Sequence, residues 1–148
     1  MFFFSGKEDK PEHGVGFLIY KNIVNTVMGV CPVSSRLNII CLRAVPFNIT
    51  VACALKSDYN DNEIEEIYDQ LQNVIHQTPK KDILIVQGDW NAKAGKGACE
   101  NWQDICGPFC NDDTNERGLV LLEFATFNNL VLANTFLLSQ SIQKMNLA

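Results

Sequence analysis

The chain has 148 residues, 47% of them hydrophobic and 20% charged, a balance that suits one globular domain and excludes a disordered tail. Its net charge of -5 excludes a surface that binds polyanions through its overall field, because neutralising phosphates requires clustered Lys and Arg. Any contact with nucleic acid must therefore be local. The opening Met1-Phe-Phe-Phe4 run is too short for a signal-peptide core or a membrane span. We expect an intracellular chain, nuclear or cytoplasmic, without membrane contact.

Three strands are predicted in the first third of the chain. Residues 14–20 begin with glycines and continue as a short apolar stretch, which indicates a strand. Residues 37–43 and 47–53 form two further apolar stretches around Pro46, and the short turn between them favours an antiparallel hairpin.

An amphipathic helix is predicted over residues 63–77. Its apolar residues recur at helical spacing, at Ile64, Ile67, Tyr68, Leu71, Val74 and Ile75. Asn60 and Glu63 are spaced as a capping pair. The acidic residues on the other face are interpreted as a solvated surface, the usual role of such residues, rather than as a metal cluster.

A strand, a helix and a final strand are predicted in the second half of the chain. Residues 81–87 are almost continuously apolar, which predicts a strand buried on both faces, and this strand runs into Gly88-Asp89-Trp90-Asn91. After a long loop over residues 92–116, we expect a helix over residues 118–127 and a final buried strand over residues 130–136. This order of elements predicts an α/β or α+β fold with mixed sheets.

Six cysteines occur in the chain, and without an export signal they are interpreted as free thiols. Cys99, Cys106 and Cys110 are the clustered set. A zinc site would need a fourth ligand, and the spacing lacks the paired Cys-x-x-Cys form, so the sequence favours a structural role over zinc binding.

Asp89 and Asn91 are the candidate catalytic residues. Strand ends are where α/β sheets place catalytic groups. On an extended backbone, side chains two residues apart point the same way, so one carboxylate and one amide could meet a single phosphate or a metal-bound water. Spacing alone leaves an alternative open, since Gly-Asp-x-Asn also occurs in plain turns.

Basic and amide side chains surround this motif in sequence. Lys93 and Lys96 either reach a DNA backbone or are simply exposed. Asn115 and Arg117 precede the second helix, where capping by Asn115 would explain the asparagine without a functional role.

The segment Ile83-Leu-Ile-Val-Gln-Gly-Asp-Trp-Asn-Ala-Lys93 resembles the GDFN-type motif of the endonuclease/exonuclease/phosphatase superfamily. Similarity extends over most of the chain, including Asn111-Asp-Asp-Thr-Asn-Glu-Arg-Gly118 and Ala133-Asn-Thr-Phe136. The chain is similar to endonuclease domains of non-LTR retrotransposons and to craniofacial development protein 2-like sequences. This resemblance implies a partial β-sandwich of that superfamily with flanking helices over residues 1–136, followed by a divergent tail over residues 137–148.

The resemblance also implies an activity, the Mg²⁺-dependent nicking of DNA. Asp89 would be the water-orienting carboxylate and a metal ligand, and Asn91 a ligand of the phosphate or transition state. Lys93, Asn115 and Arg117 would bind substrate. DNA is the implied partner, and no small-molecule cofactor is expected.

Three departures from the family pattern shape the functional hypothesis. The metal-binding glutamate of the family would lie before Met1, Cys53 stands where the family has a phosphate-contacting tyrosine, and the distal Asp-His pair would fall beyond Phe136. Because such groups act as a unit, we expect a truncated domain that is weakly active or inactive. The alternatives are a non-catalytic interaction or remnant protein, and a phosphoesterase with a non-nucleic-acid substrate. Uncovered sheet edges would favour self-association.

Overall fold

The computed structural model describes residues 1–7, 10–54, 61–110 and 113–137. The chain divides into two compact units, Met1–Asp89 and Trp90–Ala148, and each unit has its own hydrophobic cluster.

The first unit contains two sheets. The strands are β1 (Phe2–Lys7), β2 (Lys10–Leu18), β3 (Val27–Pro32), β4 (Leu37–Leu42), β5 (Ile49–Ala54) and β6 (Ile83–Gly88). β1 and β2 form an antiparallel pair. The other four strands form one sheet in chain order, in which β5 and β6 are parallel and the remaining pairs are antiparallel. A 3-10 helix, Lys21–Thr26, precedes β3.

The predicted hairpin around Pro46 is confirmed, since β4 and β5 pair from Leu37↔Ala54 to Leu42↔Ile49. The strand predicted over residues 14–20 corresponds to the end of β2. β1 and β3 were not predicted. β3 contains Gly29 and ends at Pro32, two residues that weaken a strand pattern and are tolerated in an edge strand.

One face of the four-stranded sheet belongs to a hydrophobic cluster that joins it to the β1–β2 pair. Phe17, Ile19 and Ile40 are its buried residues, and Val51 and Cys53 of β5 pack against it. The alternate residues of β5 point to the opposite face, where Ala52 and Ala54 are also buried. β5 therefore has buried residues on one face and half-buried residues, packed against the cluster, on the other.

Helix α1 (Asp61–Gln77) connects β5 to β6 and confirms the predicted amphipathic helix. It buries Ile67, Leu71 and Val74 and contacts β5. Arg36 Nη2 donates to Glu63 Oε1 at 2.9 Å, which ties the start of the helix to the chain before β4. Asn60, the other half of the predicted capping pair, lies outside the described residues.

Burial of β6 on both faces is not observed. Ile83 is 48% exposed and Ile85 is 44% exposed. In the part of the chain that the structure describes, β6 pairs only with β5, and neither isoleucine belongs to the cluster that covers Val51 and Cys53. A continuous apolar run therefore marks an edge strand here, with one apolar face partly open to solvent.

The second unit is mainly helical. Its elements are α2 (Lys96–Cys99), α3 (Glu116–Phe127) and a 3-10 turn, Ala133–Thr135. The helix predicted over residues 118–127 is confirmed as α3, which buries Leu122 and Ala125 in the cluster of this unit.

The final strand predicted over residues 130–136 is wrong. Only one isolated bridge, Leu132 with Cys106, forms there. Thr135 Oγ1 donates to Leu132 O at 2.6 Å, and this local bond stabilises a 3-10 turn in place of an extended strand. Val131 and Phe136 are exposed, so the apolar run does not indicate a buried strand.

The mixed α/β content predicted from the sequence is confirmed. No helix within the described ranges is long and apolar enough to cross a membrane.

Candidate active site and the loop that follows it

Asp89 follows the last residue of β6 and is exposed. The prediction that the motif begins where a strand ends is therefore confirmed at Gly88. Asp89 is the last residue of the first unit, whereas Asn91, Lys93, Asn115 and Arg117 belong to the second.

Asn91 has a left-handed backbone, with φ of 48°. The premise that residues 89–91 are extended is therefore wrong, and strand alternation cannot be used to aim the two side chains together. Asparagine is among the non-glycine residues that adopt this conformation most readily. Asn91 is exposed.

Asn115 ties the loop after the motif to the start of α3. Its Nδ2 donates to Asn91 O at 2.7 Å, while its Oδ1 accepts from Lys93 N at 2.9 Å and from Gly118 N at 2.8 Å. The Gly118 bond confirms Asn115 as the N-cap of α3. The Asn115 side chain thus forms hydrogen bonds with the N-terminus of α3 and with two backbone groups of the loop.

Two glycines permit the close approach of these segments. A Cβ atom on Gly118 would lie 1.9 Å from Lys93 O, and one on Gly95 would lie 2.7 Å from the backbone carbon of Asp113. Gly95 N also donates to Thr114 Oγ1 at 2.9 Å. A role in building the site was not predicted from the sequence for Gly95, Thr114 or Gly118. The signal available in the sequence was an N-cap residue, Asn115, followed three positions later by Gly118.

The structure thus brings Asn91, Lys93 and Asn115 into one hydrogen-bonded loop. The Lys93 side chain is exposed, and Arg117, in the first turn of α3, is half-buried. The predicted substrate-binding residues therefore lie on or beside a loop whose backbone is fixed by side chains.

A separate cluster in the second unit contains Cys99, Cys106 and Cys110, whose Sγ atoms all lie within 4.8 Å of one another. Cys99 and Cys106 are buried and Cys110 is half-buried. Burial raises the pKa of all three thiols, that of Cys110 to about 11. In the absence of a ligand the thiols are therefore protonated at neutral pH, as expected for inert structural cysteines.

In fold, the chain is similar to the endonuclease domain of TRAS1, a telomere-specific non-LTR retrotransposon. The two structures match with a TM-score of 0.54 and 19% sequence identity, over 86% of this chain and 52% of that one. The fold is therefore of the endonuclease type, as the motif at the end of β6 predicted.

In sequence, the chain is 32% identical over 135 residues to craniofacial development protein 2 from Tragulus javanicus and to the same protein from Bos taurus. The matched region is 90% of this chain but only 23% and 22% of those proteins. No family model matches the chain. The resemblance predicted from the sequence is confirmed by these relatives and by the retrotransposon structure.

Proposed function

We propose that this chain is part of a retrotransposon-type endonuclease domain that hydrolyses DNA phosphodiester bonds with a divalent metal. The observation that carries the proposal is the placement of Asp89 and Asn91 directly after β6, the strand parallel to β5, in a chain with an endonuclease-type fold. Ligands of α/β sheets bind at the carboxyl ends of parallel strands.

Asp89 and Asn91 have distinct roles in this proposal. The exposed Asp89 carboxylate orients the attacking water by accepting its hydrogen bond. Asn91 carries an exposed amide, and its NH₂ group donates to a phosphate oxygen as negative charge develops there. Asn91 has a left-handed backbone, and its carbonyl accepts a hydrogen bond from the Asn115 side chain. This bond fixes the backbone position from which the Asn91 side chain extends.

Asp89 can hold a divalent ion only if water and substrate supply most of the ion's ligands. Within the described residues, no group of three carboxylate, histidine or cysteine ligands includes Asp89. Mg²⁺ commonly keeps several waters and binds through one or two carboxylates together with substrate phosphates, so one exposed carboxylate is a suitable partial ligand. When bound, the ion would neutralise charge on the phosphate.

Lys93 lies two residues after Asn91 and Arg117 two residues after Asn115, and both supply positive charge in a chain whose net charge is -5. We assign them to the DNA backbone, where such contacts position the nucleic acid without reading its sequence. Asn115 acts on substrate indirectly in this proposal, because its side-chain oxygen and nitrogen already bond the loop and the helix terminus.

We further propose that these 148 residues alone are weakly active or inactive. Cys53, at the position where related sequences have a tyrosine, is half-buried at the middle of the sheet, so no phenol is available there for a phosphate. Groups that act as a unit lose nearly all of their rate enhancement when one is removed.

Nicking of supercoiled plasmid tests the proposal. The chain, Asp89→Ala and the exposed-carboxylate control Asp104→Ala are compared with Mg²⁺ and with EDTA. We expect little or no nicking, with any residual Mg²⁺-dependent activity lost in Asp89→Ala and kept in Asp104→Ala. Strong nicking that requires Asp89 would support the endonuclease role and contradict weak activity. Nicking that is indifferent to Asp89 would contradict the assigned site.

Two alternatives from the sequence stay open as proposals. A non-catalytic interaction protein would show neither nicking nor Mg²⁺-dependent DNA binding. A phosphoesterase with another substrate would hydrolyse a phosphomonoester or lipid head group in an Asp89-dependent way. The nuclear or cytoplasmic location stays a prediction, which imaging of a tagged chain would test.

A further inference from the structure

Three cysteines converge in the second unit from separate places in the chain. Cys99 is the last residue of α2, Cys106 forms the isolated bridge with Leu132, and Cys110 lies in the loop beyond. All three Sγ atoms lie within 4.8 Å of one another, and no His, Asp or Glu of the described residues joins the group. The sequence grouped these three cysteines, but their spacing did not indicate a metal site.

The backbone around the cluster is held by contacts that do not involve sulfur. Leu132 N donates to Ile105 O at 2.8 Å, and Phe109 N donates to Thr135 O at 2.9 Å. Gly107 N donates to Thr135 Oγ1 at 2.7 Å. These bonds fix the loop on both sides of Cys106, so the three sulfurs are brought together before any ligand binds. Such preorganisation reduces the cost of binding.

We propose that Cys99, Cys106 and Cys110 form a three-thiolate site for a thiophilic divalent metal ion, with Zn²⁺ as the ion expected. Zn²⁺ binds thiolate sulfur at ~2.3 Å, which places the sulfurs of a tetrahedral site ~3.8 Å apart. Because the observed sulfur separations do not exceed 4.8 Å, the sulfurs need to close by at most about 1 Å, a movement within reach of side-chain rotation.

The surroundings define the fourth coordination position and the charge. Cys110 is half-buried, so the cluster opens toward solvent on its side, and water would fill the fourth position as in zinc sites with three protein ligands. Each thiol that binds releases its proton to solvent. Three thiolates and Zn²⁺ carry one net negative charge.

The competing explanation is that the three cysteines are only small apolar residues. They do pack in one cluster with Leu122 and Ala125, and Cys110 Sγ donates to Gly107 O at 3.2 Å. Packing accounts for their burial but does not require three sulfurs in mutual contact. Metal binding distinguishes the two explanations.

Titration of the reduced, metal-free 148-residue chain with Co²⁺ is the test. Co²⁺ in a thiolate site gives near-ultraviolet charge-transfer absorption whose intensity follows the number of thiolates. We expect saturation at one Co²⁺ per chain, displacement by Zn²⁺, and a rise in Tm with Zn²⁺. Cys110→Ser should weaken binding by at least about tenfold, and Cys31→Ser, at an exposed cysteine outside the cluster, should bind as the unmodified chain does.

The outcomes separate the explanations even where a variant folds poorly. Circular dichroism of each variant without metal shows whether it is folded, and Cys110 is the least buried of the three. Absence of charge-transfer absorption in the unmodified chain would overturn the proposal. So would equal loss of binding in Cys31→Ser, or full binding in a folded Cys110→Ser. The result is independent of DNA cleavage.

Discussion

Asn115 connects backbone segments that are more than twenty residues apart in the chain. Its side chain was predicted both as a substrate ligand and as a helix cap, and the observed bonds favour the cap together with a second role in shaping the loop. The sequence could predict the cap because Asn is a common N-cap residue. It could not predict the bond to Asn91, which depends on how the loop folds back.

Replacing Asn115 by alanine should destabilise the second unit by about 1–3 kcal/mol, because three backbone partners lose their bonds to one side chain. Urea denaturation measures this free energy of unfolding. Asn101→Ala is the matched control, since the exposed Asn101 amide makes one long bond, at 3.4 Å to Gly97 O. Equal effects of the two substitutions would contradict the role of Asn115 in holding the loop to α3.

The position of Gly118 leaves no space for a Cβ atom, and urea denaturation can test this steric requirement. In Gly118→Ala the new Cβ would lie 1.9 Å from Lys93 O, so the loop must move at a cost of about 1–3 kcal/mol. Gly97→Ala, also in a helix, meets no atom within 4 Å and should be neutral or stabilising by up to ~1 kcal/mol. A harmless Gly118→Ala would show that the loop does not approach α3 as described.

At the scale of elements, sequence periodicity predicted the hairpin, both long helices and the strand before the motif. Periodicity was informative where burial is one-sided, as in α1. It failed for the apolar runs at β6 and at residues 130–136, because apolar content does not determine pairing partners. β6 has one pairing partner in the described part of the chain, and residues 133–135 form a turn stabilised by Thr135.

We propose that β6 promotes self-association, since Ile83 and Ile85 present an apolar face on an edge strand. Sedimentation analysis over a range of concentrations should show oligomers that Ile85→Lys reduces, because a charge on an edge strand opposes pairing. Val45→Lys is the control, since Val45 is 96% exposed and lies outside the strands. A chain that stays monomeric at all concentrations would contradict this proposal.

The net charge of the whole molecule limits how the chain can contact DNA. A net charge of -5 leaves only local basic groups for DNA, and the candidates named from the sequence are Lys93, Lys96 and Arg117. The chain covers 52% of the solved retrotransposon domain, so the activity of a whole domain is a proposal here. The class of fold was predictable from the order of the elements and from the resemblance, whereas the strands β1 and β3 were not.

The proposal that Asp89 holds a divalent ion at the DNA phosphate is tested by fluorescence anisotropy of a labelled duplex. Affinity is measured with Mg²⁺ and with monovalent salt of equal ionic strength, because affinity for DNA depends on salt. We expect Mg²⁺ to strengthen binding by the unmodified chain and by Asp104→Ala but not by Asp89→Ala. An equal response to Mg²⁺ in all three chains, or none in any of them, would contradict it.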